Sequence, residues 1–550
     1  MSAFLGVMEA TRGANQDDAE YWRGEAQRLA GENVVLRAER SELEGQVAAL
    51  SEKLVTLTKL LYGDSSEKQK KKKGDGEGAP SGKKTGGTGE GDGGPRRRRG
   101  QQPGSRGHGR RDNSHLDTEE IVHELDESQR CCGECGTTYA EFGYETSEQI
   151  DWQVRVVRIV HRRRSYRRVC GCGVPGIVSA PVPAKPIAKG MFTANFLARL
   201  LVEKYVWGRP LSRIAAALAS EGFDVAQGTL VGALKATSAL LAPLDTAVRA
   251  RNGAAGHVHV DETSWKVFED VEGKANHRWW LWVFAARDTT VFTIEPSRST
   301  KVLRDHLGID ADAKSLEDDR RLLISSDFFT VYQSLDRITG VDALWCWAHI
   351  RRYFIRAGDA HPEQLADWRD AWVERIAALY RAHQARSSCA AGSMQQRRAD
   401  EDLAVGLTAI DTARGDQAAD PTLHPAAVKV LTTLDHEWDG LARHKDFPDL
   451  ALDNNTAERG LRNPVVGRKN YYGSGAVWAA ALAGRVWTIT ATAQLAGCDP
   501  LAYLHAYLDA CAANSGRAPT GEDLARFLPW RATPAELAAW RAPGRGGRSP

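Results

Sequence analysis

Leu29, Leu36, Leu43, Leu50 and Leu57 recur at every seventh position, with Trp22 in phase ahead of them. A strict seven-residue apolar repeat makes a helix supercoil with a partner, because only then does its seam stay buried. The companion row is Asn33, Arg40, Val47, Leu54 and Leu61. Asn33 and Arg40 weaken the pairing and fix its register. Residues 17–62 are therefore predicted as a leucine-zipper coiled coil, and the chain as a homodimer through it. Residues 63–115 then carry lysines at 70–73, arginines at 96–99, and Arg106, Arg110 and Arg111 among Gly, Ser and Pro. Such a stretch cannot bury enough apolar surface to order itself, so a disordered basic linker is expected. Its positive charge attracts phosphate backbones without regard to sequence. A zipper followed by a tether forces a modular chain.

Over the whole chain the charge nearly balances, with 73 Lys and Arg against 71 Asp and Glu. It is the segregation of charge that informs. No secretory segment opens the sequence, and no run approaches the ~18 uninterrupted apolar residues of a membrane span. The expectation is a cytoplasmic protein with no membrane partner. Nine cysteines, unevenly spread, argue against a secreted disulfide framework and for reduced thiols or a metal site.

In residues 116–178, Cys132 and Cys135 form a CxxC pair and Cys170 and Cys172 a CxC pair, each beside Gly. Two close thiol pairs separated by strand-like sequence are how small zinc ribbons build a tetrahedron. Structural Zn²⁺ is expected there, with Cys131 an open alternative to Cys132. Residues 154–160 alternate imperfectly, and Arg162, Arg163 and Arg164 follow, giving a candidate β-hairpin with a basic, DNA-binding face. Residues 190–252 read as helical: a helix opening at Pro210, a break at Gly222 and a second helix from Thr229 suit a helix-turn-helix-like arrangement.

From His257 the pattern changes to strands. Residues 257–261 alternate, 279–285 are nearly all apolar, 291–294 form another apolar run, 300–307 fit a short helix, and 322–324 lead into Ser325, Ser326 and Asp327. This is a mixed α/β sheet, predicted over 255–354 and 451–496. A helical insertion is predicted at 355–450, where Trp368, Trp372, Ile376 and Leu379 fall at helical spacing. A C-terminal helical element and tail occupy 497–550. Asp261 and Asp327 sit at strand positions, and Glu458 follows the capping residues Asp453, Asn454 and Asn455, in the first turns of a helix. Carboxylates gathered from two strands and a helix can hold two divalent ions ~4 Å apart for in-line displacement at phosphorus. Hard oxygens suit Mg²⁺ or Mn²⁺. Glu262 is adjacent to Asp261, and neighbours in a strand face opposite sides, so only one of them points at the metals.

The stretch 452–473, LDNNTAERGLRNPVVGRKNYYG, resembles the block around the catalytic glutamate of DDE transposases of the insertion-sequence-66 family. CWAHIRRYF at 346–354, HVDET at 259–263 and SDFFTVY at 326–332 resemble it too, as do the zipper, the GDSSEK segment at 63–68, the linker and the cysteine pairs. The resemblance implies a ribonuclease-H-like catalytic core, cleavage at the ends of a mobile element, and joining to target DNA. It implies Asp261, Asp327 and Glu458 as the metal-binding triad, and small accessory proteins of the same element as partners. The alternatives are a catalytically impaired DNA-binding regulator and a nuclease of the same fold. Phe328 follows Asp327 where the family usually has Gly. Arg459, Arg462, Arg468 and Lys469 surround the glutamate helix as candidate phosphate contacts. Tyr471 and Tyr472 suit either stacking on unpaired bases or core packing. His349 is expected near the site.

Overall fold

The computed structural model describes residues 155–167, 177–179, 181–274, 276–317 and 319–541, all within one compact unit of the chain. The predicted coiled coil, the basic linker and the four cysteines assigned to zinc lie outside the described residues. Two short strands, β1 (Ser165–Arg167) and β2 (Ile177–Ser179), pair antiparallel, with Tyr166 opposite Val178. Cys170 and Cys172 fall in the span that joins them. Residues 155–160, within the alternating stretch, and 161–164 after it carry no strand, and Arg162, Arg163 and Arg164 are exposed there.

A helical region follows. Helix α1 (Ala194–Leu201) is capped by Thr193 and runs on into a π turn, Val202–Val206. Helix α2 (Leu211–Ser220) begins after Pro210 and ends before Gly222, whose φ of 84° suits only a residue without Cβ. Helix α3 (Gln227–Gly253) is far longer than a recognition helix needs, and its buried Leu230, Leu241, Leu244 and Val248 give it a packing role.

The central sheet has five strands in the order β5-β4-β3-β6-β7. They are β3 (His257–Lys266), β4 (Arg278–Ala285), β5 (Thr290–Glu295), β6 (Leu322–Ser326) and β7 (Val341–Trp345). The first three form an antiparallel meander; β6 and β7 add to β3 in parallel. Parallel neighbours need crossovers, supplied by α4 (Thr300–Leu307) and α5 (Thr330–Asp336). Strand β4 reads as a continuous apolar run because both of its faces are covered. Trp279, Leu281 and Val283 join one core, and Trp282 and Phe284 the other.

The first core lies under α1, α3 and the later helices α11 (Asn455–Tyr471), α12 (Val477–Leu495) and α13 (Pro500–Ala513). An edge strand leaves backbone groups unpaired, and α12 answers this at β5. Thr488 and Thr492, one turn apart, accept hydrogen bonds from the amides of Phe292 (2.9 Å) and Thr290 (3.1 Å). The second core joins the opposite sheet face to α6 (Trp347–Ala360), α7 (Pro362–Ser388), α8 (Met394–Ala418), α9 (Pro425–His436) and the short α10 (Trp438–Ala442). The inserted helices thus share their core with the sheet. Trp368 and Trp372 both donate to Gln417 Oε1, at 2.8 and 2.9 Å, which ties α7 to α8. No helix among the described residues is long and apolar enough to cross a membrane.

Candidate active site

Strand β3 separates its two acids. Asp261 lies opposite Val283 and Glu262 opposite Trp282. Val283 belongs to the core under α11, Trp282 to the core under α4 to α6. Asp261 is therefore on the face that α11 covers. On the other face, Glu262 accepts from Arg298 Nε at 2.6 Å and from the Tyr332 hydroxyl, and its side chain is only 2% exposed. Arg298 is itself held flat, 3.7 Å from the Phe329 ring centre and 4.7 Å from that of Trp280.

Asp327 directly follows β6, where the chain leaves the sheet. Its Oδ1 accepts from the Phe329 amide at 3.0 Å, closing a tight turn into α5. Phe328 fits this turn by turning its ring toward Trp345, His349 and Tyr353, at centroid separations of 6.4, 6.4 and 6.1 Å. The bulk that replaces Gly is thus absorbed by aromatic packing beside the acid.

Glu458 lies in the first turn of α11. The N-cap is Asn454, yet its side chain does not cap the helix. Asn454 is buried and spans to β3: Nδ2 donates to the Val260 carbonyl at 2.7 Å, and Oδ1 accepts from His259 Nδ1 at 3.1 Å. Its own amide donates to Cys346 Sγ at 3.2 Å. Asp453 instead satisfies the first helical amide, accepting from Asn455 N at 3.0 Å. One asparagine thus fixes the start of the glutamate helix to the residue beside Asp261. Farther along, Arg468 donates to Thr263 Oγ1 at 3.1 Å and to the Ser264 carbonyl, so α11 is fastened to β3 at both ends.

These attachments bring three acids into one electrostatic neighbourhood. Burial, and then the charges of Glu262, Asp327 and Glu458, push the Asp261 carboxyl up to about 7, against a lowering contribution from the Glu262 amide. Glu458 is turned onto Arg352, whose Nη2 reaches both carboxylate oxygens at 3.1 Å. His349 Nε2 lies 3.8 Å from Glu458 and accepts from Arg352 Nη1 at 3.3 Å. Burial, followed by Arg352, lowers the His349 pKa, although Asp327 and Glu458 pull the other way. A neutral ring with Nε2 accepting carries its proton on Nδ1, which is buried and has no partner among the described residues.

The donor chemistry fits a divalent cation: three carboxylates, with Asp261 made hard to ionise by burial and then by the negative charges around it. Among the described residues, however, no group of three or more His, Cys, Asp or Glu is drawn together closely enough to hold an ion as it stands. The sequence blocks contained Arg352, Asn454 and Tyr332 without revealing their work, and Arg298 lies outside them. Asn454 showed only as a capping residue, and Arg352 only through its helical i+3 spacing from His349. Of the candidate phosphate contacts, Arg459, Arg462 and Lys469 are exposed along α11, whereas Arg468 is engaged with β3. Tyr471 is drawn inward against Trp265, at 6.5 Å between centroids, and Tyr472 points outward.

Residues 189–482 match the model of the Transposase IS66 family, a span that includes Asp261, Asp327 and Glu458. Three proteins of Sinorhizobium fredii (strain NBRC 101917 / NGR234) are similar over most of their length. The uncharacterized protein y4jD is 25% identical over 433 residues, 76% of this chain and 80% of its own. The uncharacterized protein y4qI is 24% identical over 433 residues, with 76% and 77% covered. The uncharacterized protein y4hP is 23% identical over 414 residues, with 71% of each chain covered.

Proposed function

This chain belongs to the IS66 transposase family, and from that premise we propose that it cuts DNA at the ends of an insertion sequence and joins them to a target. The single observation that carries the reading is the face of β3 on which Asp261 lies, with α11 bringing Glu458 to it and Asp327 beside it. The strand order, an antiparallel meander extended by two parallel strands, supports a ribonuclease-H-like core. Asp261, Asp327 and Glu458 are the residues to hold Mg²⁺ or Mn²⁺. A bound divalent ion would supply charge neutralisation at the scissile phosphate and an acidified water or 3′-hydroxyl.

The protein groups divide the remaining work. Asn454 sets the distance between α11 and β3. Arg352 holds Glu458 in place and, freed from it, presents a guanidinium suited to a phosphate oxygen. His349, neutral with Nε2 accepting, orients Arg352. Arg459, Arg462 and Lys469 line the exposed side of α11, and Arg162, Arg163 and Arg164 precede the β1–β2 hairpin, as contacts to the DNA backbone. Zinc on Cys132, Cys135, Cys170 and Cys172, a homodimer through residues 17–62, accessory proteins of the same element and a cytoplasmic location belong to the same reading.

The test is strand cleavage and joining on labelled duplexes that carry the element's ends, with Mg²⁺ or Mn²⁺. Glu458→Gln is expected to abolish both while leaving end binding intact. Cleavage at the wild-type rate by that variant would overturn the assignment. End binding by the wild-type protein with no nicking under any divalent ion would make it a regulator instead.

A further inference from the structure

Three exposed aromatic side chains from separate segments converge on the far end of α11 from Glu458. Trp207, Phe268 and Tyr472 are 53%, 45% and 72% exposed. Trp207 ends the π turn and precedes Gly208, whose carbonyl accepts from Asn470 Nδ2 at 2.9 Å. A Cβ on Gly208 would lie 3.2 Å from Gly467 Cα, so this turn rests directly on α11. Phe268 N donates to the Ser474 carbonyl at 2.9 Å, just past the helix end. Tyr472 is the C-cap of α11.

The core does not need these rings. Each has a neighbour that already packs inward: Tyr205 against Trp487, Trp265 near the end of β3 and Val267 just past it, and Tyr471 against Trp265. Trp265 Nε1 also donates to Ser474 Oγ at 3.1 Å. Tyr472 additionally adopts a left-handed backbone, φ 66°. Glycine usually fills such a helix-ending position, and a side chain with Cβ costs roughly 1 kcal/mol or more there. A ring left almost wholly in solvent returns no packing for that cost. Strain retained without packing gain is a mark of a binding role.

The surrounding charge favours a nucleic acid. Lys266 and Lys469 are exposed beside the rings, and Lys204 Nζ sits 4.4 Å over the Tyr471 ring. Of the nearby acids, Glu203 pairs with Arg209 at 2.7 Å and Glu269 accepts from Val477 N at 2.6 Å, while Asp270, 3.9 Å from His277, and Glu272 follow Phe268 exposed. Exposed rings among lysines stack on bases of any identity. Tyr472 lies fourteen residues beyond Glu458, about 21 Å at helical rise.

We infer that Trp207, Phe268 and Tyr472 form a stacking platform for unpaired bases of a DNA strand, about 21 Å along α11 from Glu458. The inference rests on the DNA-cutting reading only for its register. The platform itself is tested without catalysis, in EDTA. Fluorescence anisotropy would compare a 12-nucleotide oligothymidylate with a duplex of equal length. Tyr472→Gly removes the ring and suits the left-handed backbone, so its stability is expected to hold or rise. It should lose about tenfold or more in single-strand affinity and little in duplex affinity. The triple alanine variant at 207, 268 and 472 should lose more. Unchanged single-strand affinity in both variants would overturn the platform. So would a change in oligomeric state with no change in DNA binding, since the surface would then be a protein contact. Loss of single-strand binding by Tyr472→Gly, together with a wild-type protein that never cleaves, would keep the platform and reject the catalytic reading.

Discussion

Replacing Asp261 by Asn should make the metal-free protein more stable, and by an amount that depends on pH. The carboxyl is pushed from its ordinary value of 3.8 up to about 7, first by burial and then by the charges of Glu262, Asp327 and Glu458. Well below pH 4 the group is protonated in both folded and unfolded chains, so it costs nothing. As pH rises from 4 to 7 the unfolded chain ionises it while the fold resists, and stability falls. Above 7 the penalty levels off. Moving the carboxyl from 3.8 to about 7 corresponds to about 4 kcal/mol, an upper bound because the site can relax. At pH 5.5 the same reasoning leaves about 2 kcal/mol. Urea denaturation in EDTA, at pH 5.5 and 8, would measure the difference between Asp261→Asn and wild type. The gain should grow with pH and shrink when saturating Mn²⁺ is added, because the ion stabilises only the intact acid set. A pH-independent difference, or an Asn variant less stable at pH 8, would refute the account of Asp261 as a buried acid lacking a counter-charge.

Asn454→Ala should lower stability by about 1–3 kcal/mol, because the Val260 carbonyl loses its buried donor. Single-turnover cleavage should fall by about a hundredfold, since Glu458 is displaced relative to Asp261; a full rate with a lowered melting temperature would show that the asparagine only holds the fold. Arg352→Ala should bind Mn²⁺ a few-fold more tightly in calorimetric titration, because the guanidinium competes for Glu458 at a half-exposed pair worth about 1 kcal/mol or less. Weaker Mn²⁺ binding would mean that Arg352 orients Glu458 for the ion instead of competing with it.

Much of this architecture is legible because its periodicities are local. Alternation marks β3, a two-sided apolar run marks β4, and Asp453, Asn454 and Asn455 announce α11 within a residue of its start. Asp499 and Pro500 do the same for α13, where the Asp499 side chain accepts from Ala502 N. The inserted helices are equally readable, but their union with the sheet in one core is not. It depends on contacts such as Phe354 stacked on Trp372 at 4.5 Å, between residues of two helices whose faces the sequence does not orient. The same limit hides Asn454: its composition says cap, and only the tertiary approach of β3 gives its Oδ1 a different donor, His259 Nδ1, and its Nδ2 the Val260 carbonyl. Arg352 is hidden because its partner lies 106 residues away.

The two acids of β3 show why a site acid and a structural acid are so hard to tell apart along a chain. Both are partly buried, both are adjacent, and burial raises the pKa of both. What separates them is compensation. Glu262 receives a guanidinium and a phenol, so its negative charge is neutralised within the fold. Asp261 receives only the amide of Glu262, at 2.8 Å, and among the described residues no cation pairs with it. A buried carboxylate without a counter-charge is costly, and a fold keeps one only where something else supplies the charge. The other face of the strand shows that this protein can supply an arginine to a buried acid when the acid's role is structural. Withholding one from Asp261, while Asp327 and Glu458 crowd it with more negative charge, leaves a position that a positive ligand completes. That contrast within a single strand, more than the presence of three acids, supports reading Asp261 as the catalytic partner of Glu458.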